Sequence, residues 1–244
     1  MDEWKYETEA ALDQSLHERL REFPRAPHIW MYALRSFAAL VIRAWLKLYH
    51  RYEIHGRDHL PISRSFILVA NHQSHLDAPC LTAAVPLRYL HRTFPAAAAD
   101  YFFESLPRSV FSSVVINALP FDREAKGAES LELCRALLAN PGNILILFPE
   151  GTRSTTGEVG RFRSGIGRLV QGTDIPVVPC HLDGAHRAWP KGAFLPRPRK
   201  LVLRIGAPHE FGRRPVGKAT VREISAELQA AVAGRVESGN PSKA

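Results

Sequence analysis

The sequence predicts an α/β protein with a mostly parallel central sheet flanked by helices. Short apolar runs rich in β-formers recur from residue 52 onward, among them SFILVA at 65–70 and NILILF at 143–148. Amphipathic helical patterns lie between several of them, and strand and helix in alternation imply a sheet covered on both faces. Hydrophobic residues make up 45% of the 244, ample for a core.

In chain order, the opening MDEWKYETEAALDQ is acidic where an export signal would be basic and then apolar, so no export is expected. A charged, helix-permissive leader runs to about Glu22 and is ended by Pro24 and Pro27. Residues 28–49, HIWMYALRSFAALVIRAWLKLY, form the most lipophilic helical stretch. At 100° per residue, Arg43 and Lys47 fall within about 120° of Arg35 and make one cationic stripe. The remaining surface carries Trp30, Leu34, Phe37, Leu40, Val41, Trp45 and Leu48. Such a helix either packs on the domain or lies in a membrane interface near anionic headgroups, and the second is the expectation. A spanning helix is not expected, because no stretch of about 18 residues is free of charge. The predicted organisation is therefore a membrane-associating helical region at 1–50, an α/β domain at 51–235 and a disordered polar tail at 236–244.

Strands are predicted at 52–55, 65–70, 93–97, 113–118, 143–148, 176–181 and 201–205. Helices are predicted at 76–85, at 126–140 with Leu131, Cys134 and Leu138 on one stripe, and near 221–232. The last would open with a capping box from Thr220 to Glu223 and bury Val221, Ile224, Leu228 and Val232. Ligands of such sheets bind outside the carboxyl ends of the strands.

Two strand ends carry the chemistry. In VANHQSHLDAP, residues 69–79, the predicted strand delivers Asn71 and His72 to its carboxyl end, with Ser74 as N-cap of the next helix and Asp77 in its first turn. A carboxylate one turn from an imidazole can accept Nδ1–H, fix the tautomer and leave Nε2 free to take a proton. Other readings of the same residues are a plain turn, a metal site of the form H-x-x-H-x-D using His72, His75 and Asp77, and a serine hydrolase built on Ser74. The metal spacing matches no familiar motif, and Ser74 lacks a G-x-S-x-G elbow. The second strand, 143–148, runs into Pro149-Glu150-Gly151-Thr152-Arg153-Ser154. Taken alone this is a polar turn, but beside His72 its glycine, hydroxyls and guanidinium become an anion site facing a base.

The formal charge of +8 implies an anionic partner: nucleic acid, a phosphorylated substrate or an acidic membrane. No nucleic-acid-binding motif is present, and Arg187, Lys191, Arg197, Arg199 and Lys200 have little aromatic interleaving, so nucleic acid is not expected. Cys80, Cys134 and Cys180 are scattered and lack C-x-x-C spacing, which suits packing roles in a reducing compartment.

The pairing N-H-x-S-x-x-D with F-P-E-G-T-R-S about 70 residues later resembles the glycerolipid acyltransferases, whose best-known members are the 1-acyl-glycerol-3-phosphate acyltransferases. The resemblance covers roughly residues 30–210. It implies an α/β acyltransferase fold, acyl-CoA or acyl carrier protein as donor, no bound cofactor or metal, and a peripheral or monotopic position on the cytoplasmic face of a membrane. The family's catalytic pair falls on His72 and Asp77, with Asn71 and Ser74 in support. Its phosphate-binding motif falls on Glu150, Gly151, Thr152 and Arg153. The stretch NALPFDR, 117–123, looks like the acceptor-binding block, whose closing basic residue falls on Arg123. Here Asn117 stands where glycine is usual and Pro120 where an aromatic is common, which leaves the acceptor open to other lyso-lipids. IPVVPC at 175–180 is similar to the apolar fourth block, and Phe162 and Gly165 to the link before it. The function implied is acyl transfer to a lysophospholipid, with lysophosphatidate the default acceptor. A non-catalytic lipid-binding protein on the same scaffold is the reading from another class. The chemically competent residues at both motifs argue against it.

Overall fold

In the computed structural model, which describes residues 29–98, 119–121 and 127–234, seven strands build one sheet. They are β1 (Glu53–His55), β2 (Phe66–Ala70), β3 (Thr93–Ala98), β4 (Leu119–Phe121), β5 (Ile144–Leu147), β6 (Val177–Asp183) and β7 (Val202–Ile205). The order across the sheet is β1-β7-β6-β2-β5-β3-β4. Every neighbouring pair is parallel except β6 with β7, so the mostly parallel sheet expected from the alternation is present.

The helices are α1 (Ile29–Tyr49), α2 (Asp77–Ala84), α3 (Gly127–Ala139), α4 (Gly165–Val170), α5 (Ala185–Ala188) and α6 (Lys218–Ala233). They cover both faces, which explains why β2 is buried at all five positions. Phe66, Leu68 and Ala70 point into a core shared with Leu46 of α1 and Cys80, Leu81 and Ala84 of α2. Ile67 and Val69 point the other way, into a core shared with Cys134 of α3, Leu169 of α4 and Ile224 and Leu228 of α6. The period-2 geometry of a strand thus assigns alternate residues of one apolar run to two separate cores. The three cysteines are free and buried, and burial pushes the Cys134 thiol up to about 12.

The topology creates a place for a ligand. β2 and β5 are neighbours, yet the chain leaving β2 crosses one way to β3 while the chain leaving β5 crosses the other way to β6. Opposed connections at adjacent strand ends are where open α/β sheets bind ligands.

Several local expectations are corrected. The predicted capping box at Thr220 does not form: α6 begins earlier, at Lys218 after Gly217, so Thr220 is already inside the helix and buried. The four apolar residues Val221, Ile224, Leu228 and Val232 are buried as predicted. The position before α2 is taken by Leu76, not Ser74, and no side chain caps that helix. Of the cationic stripe of α1, Lys47 is exposed but the two arginines turn away from solvent. Arg35 is buried, and the Arg43 guanidinium donates to the Val85 carbonyl beyond the end of α2. The exposed face instead carries Trp30, Leu34, Phe37, Leu40, Val41 and Leu48. Among the described residues no helix is long and apolar enough to cross a membrane. The predicted strand at 113–118, Asn117, Arg123, the N-terminal leader and the tail at 236–244 lie outside the described residues.

Candidate active site

The site begins with Asn71, the first residue past β2. It is fully buried, and its side-chain amide donates to the Leu182 carbonyl at 3.0 Å while its Oδ1 accepts the Leu182 N–H at 2.8 Å. The amide thus extends the β2–β6 pairing by one more rung and satisfies two buried backbone groups. A carboxylate or an alkyl group in its place cannot do both.

This clasp sets the position of the next residue. His72 Nδ1 lies 2.8 Å from Asp77 Oδ2, at the first residue of α2, and its ring stacks on Phe148 with centroids 4.3 Å apart and an 18° tilt. Asp77 Oδ2 also accepts the N–H groups of Gln73 at 2.6 Å and Ser74 at 2.8 Å. One carboxylate oxygen therefore folds the whole loop around itself, at the positive end of a helix. Its partner Oδ1 is buried with no hydrogen-bond partner among the described residues, a cost of about 1–3 kcal/mol that ordinary core packing would not retain. With Nδ1 taken up by Asp77, Nε2 is the nitrogen left to receive a substrate proton. The His72 side chain stays 25% exposed while that of Asp77 is 0%.

Ser74 is a strut. Its Oγ accepts the Leu76 N–H at 3.2 Å and donates to the Trp189 carbonyl at 2.8 Å, which ties the loop to the segment beyond α5. A hydroxyl so engaged and nearly wholly buried is poorly placed to act as a nucleophile.

The turn after β5 packs directly against this loop. Glu150, which the sequence places with the substrate-binding residues, is buried, and its Oε1 accepts the His72 N–H at 2.9 Å. Burial raises its carboxyl above the usual range, against the opposing pull of the N–H groups of His72 and Gly160. The Ser154 N–H donates to the His72 carbonyl at 2.7 Å, so both backbone polar groups of His72 are held by the PEGTRS turn. Gly151 adopts φ +74°, and a Cβ there would meet the Arg163 guanidinium at 2.8 Å. The positive φ favours glycine, while the flexible Arg163 side chain could move aside. Gly151 and Thr152 are exposed, whereas Arg153 is half-buried and donates from Nη1 to His75 Nε2. The His75 ring also lies 5.3 Å from that of Trp189. With His75 turned to an arginine, H-x-x-H-x-D does not gather three ligands. Among the described residues no group of three metal-ligating side chains occurs.

The geometry brings together Asn71, His72, Ser74, Asp77, Glu150, Gly151, Thr152 and Arg153, from two strand ends about 75 residues apart in sequence. Arg123 lies outside the described residues. Three contributors escaped sequence reasoning. Phe148 was visible as the first residue of FPEGTRS but not as a ring under His72. Gln73 bonds the Gly157 carbonyl through its side chain at 2.6 Å, and Trp189 receives Ser74, and neither carries a local signal.

Residues 51–183 match the family model described as Acyltransferase, so the matched segment runs from before β1 to the end of β6. A 1-acyl-sn-glycerol-3-phosphate acyltransferase of Limnanthes alba is 28% identical over 156 residues, covering 64% of this chain and 53% of that protein. One of Chlamydomonas reinhardtii is 31% identical over 162 residues, covering 65% and 44%. The chain thus spans about half the length of the curated relatives it matches. The solved structure of the 1-acyl-sn-glycerophosphate acyltransferase PlsC from Thermotoga maritima shares the fold, with a TM-score of 0.63 and 23% identity over 91% of this chain and 84% of that one. Since the family model takes in more than half the sequence and both strand ends that build the site, the chain belongs to the acyltransferase family.

Proposed function

We propose that the protein transfers a fatty acyl group from acyl-CoA or acyl carrier protein to the hydroxyl of a lysophospholipid, with 1-acyl-glycerol-3-phosphate as the acceptor that gives phosphatidic acid. The observation that carries this reading is the His72–Asp77 pair at 2.8 Å, held against the PEGTRS turn by Glu150 and Ser154. His72 Nε2 takes the acceptor hydroxyl proton as the oxygen attacks the thioester carbonyl, and Asp77 stabilises the imidazolium that forms. No residue becomes acylated, because a thioester is already activated. Arg153, with Arg123, binds the acceptor's phosphate and makes its hydroxyl effectively intramolecular to His72. The names of the relatives support the acceptor, and the departures at Asn117 and Pro120 are where a different lyso-lipid would be selected.

The test is a mass-spectrometric screen of lyso-lipid acceptors against the two donors. His72→Ala should lower turnover by about 10²–10⁴-fold while leaving the circular dichroism spectrum unchanged. Full activity in that variant would overturn the assignment.

The organisation that fits this chemistry is an α/β catalytic domain at 51–235 approached by a membrane-associating region at 1–50, with a polar tail at 236–244. The apolar face of α1 is the contact with an anionic bilayer in which the acceptor resides, on the cytoplasmic side.

A further inference from the structure

The most fully exposed large apolar side chain among the described residues lies outside α1. Phe194 is 90% exposed and its neighbour Leu195 is 68% exposed, at the tip of the loop 189–200 between α5 and β7. The loop is built to hold them there. The Ala193 N–H donates to the Pro190 carbonyl at 3.1 Å across a turn whose third residue, Gly192, has φ +90°, as a type II turn requires. The Trp189 indole donates to the Ala193 carbonyl at 2.8 Å, and the Arg197 N–H to the Ala188 carbonyl at 2.7 Å. Prolines at 190, 196 and 198 stiffen the rest. A rigid loop that presents two large apolar groups to water is stable only at a cost that some other surface offsets.

Its neighbours indicate which surface. Lys191, Arg197 and Arg199 are exposed on either side of the tip, a pattern that matches anionic headgroups above an apolar layer. The loop also adjoins the end of α1. The Tyr49 hydroxyl donates to the Pro196 carbonyl at 3.0 Å, His50 Nδ1 lies 3.2 Å from the Arg199 carbonyl, and the Leu201 N–H donates to the His50 carbonyl at 3.1 Å. At its other end the loop is anchored in the site, through the bond from Ser74 Oγ to the Trp189 carbonyl.

We propose that loop 189–200 is a second membrane-contact element, which seats Phe194 and Leu195 in the headgroup–acyl boundary of an anionic bilayer beside the catalytic loop. This rests on the membrane reading of α1 and deepens it. With α1 alone, one helix face meets the bilayer. With the loop as a second point, the domain's orientation is set and the site's mouth is held at the depth where a lysophospholipid offers its hydroxyl.

The test uses the full chain carrying Phe194→Cys labelled with an environment-sensitive nitrobenzoxadiazole. The three native cysteines are buried, which directs the label to position 194. On phosphatidylglycerol–phosphatidylcholine vesicles the emission should shift to the blue and brighten, with a smaller change on pure phosphatidylcholine. The unlabelled double variant Phe194→Asp, Leu195→Asp should partition to the anionic vesicles about tenfold more weakly. Vesicle-bound protein whose label keeps its aqueous emission would overturn the loop assignment and leave α1 as the contact, which is also the outcome if a partner protein covers this tip. Equal shifts on both vesicle types would overturn the role of the flanking cations. Failure of the unmodified protein to float with either vesicle would overturn the membrane reading beneath the proposal.

Discussion

At the scale of single residues, His72 is positioned from all sides before any substrate arrives. Asp77 takes Nδ1, Phe148 lies under the ring, Glu150 takes the backbone N–H and Ser154 bonds the carbonyl. Glu150 therefore holds the loop that carries His72, and its carboxyl, whose pKa burial raises, accepts from backbone donors. Glu150→Gln keeps one acceptor oxygen but sets an amide N–H₂ against one of the two N–H groups. We expect kcat to fall by about 10–100-fold from misplacement of His72, with the acceptor KM nearly unchanged. Steady-state kinetics with a fixed donor check this, and a rise in KM at constant kcat would return Glu150 to substrate binding. The sequence made His72 and Asp77 legible because their spacing across a strand end and a helix start constrains geometry. The opposite was true of Glu150, since nothing local says whether a turn carboxylate faces solvent or backbone.

At the scale of elements, α2 carries Asp77 and is fixed at its far end by groups from elsewhere. The Tyr52 hydroxyl donates to the Cys80 carbonyl at 2.7 Å, Arg57 reaches the Ala83 carbonyl at 3.4 Å and Arg43 that of Val85. Arg57 and Arg43 thus occupy carbonyls that a helix C-terminus leaves open, and Tyr52 holds the helix at its middle. Two of the three donors come from beyond α1, and Arg43 comes from α1 itself, so the docking of α1 bears on the site through α2. Two buried or partly buried imidazoles also take part in that docking. His91, after α2, packs edge-on to Tyr32 of α1 at 3.8 Å. Burial, with a smaller contribution from Arg35, pushes its pKa down to about 4 from 6.5. Burial also lowers that of His50 at the end of α1. A histidine depressed in the folded state is protonated first in the unfolded chain, so the unfolded state binds more protons between about 6.5 and about 4. The stability His91 contributes is complete above that window and is lost as pH falls through it. Thermal melting followed by circular dichroism should show Tm falling between pH 6.5 and pH 4, with part of the drop removed in His91→Gln. An unaltered pH profile in that variant would count against the packing described.

At the scale of the whole molecule, the proposed membrane contact would draw on the charge of +8 and the outward apolar face of α1 together. Because Leu46, Arg35 and Arg43 turn inward, deleting the helix would strip core and capping groups as well as the exposed apolar face. Substitution on the exposed face is the cleaner perturbation. Leu34→Ser, Phe37→Ser and Leu40→Ser combined should reduce flotation with anionic vesicles by tenfold or more. Raising salt from about 0.1 M to about 0.5 M should weaken binding of the unmodified protein further, through screening of the cationic contribution. Flotation that survives both changes would refute this face as the contact.

The sequence by itself determined where most of the described strands and the long helices lie, that the sheet is mainly parallel, and that the two motifs sit at strand ends. Those features follow from local periodicity and from motif spacing, which are properties of the chain before it folds. Tertiary structure alone decided that Ser74 braces Trp189 instead of capping α2, that Thr220 falls inside α6, that Glu150 turns to His72, and that Arg35 and Arg43 face the domain. Local spacing cannot foresee partners that packing brings near: Trp189 for Ser74, the His72 N–H for Glu150 and the Val85 carbonyl for Arg43 lie far off in sequence. Where such elements meet and water is excluded, buried backbone groups need partners, and these side chains supply them.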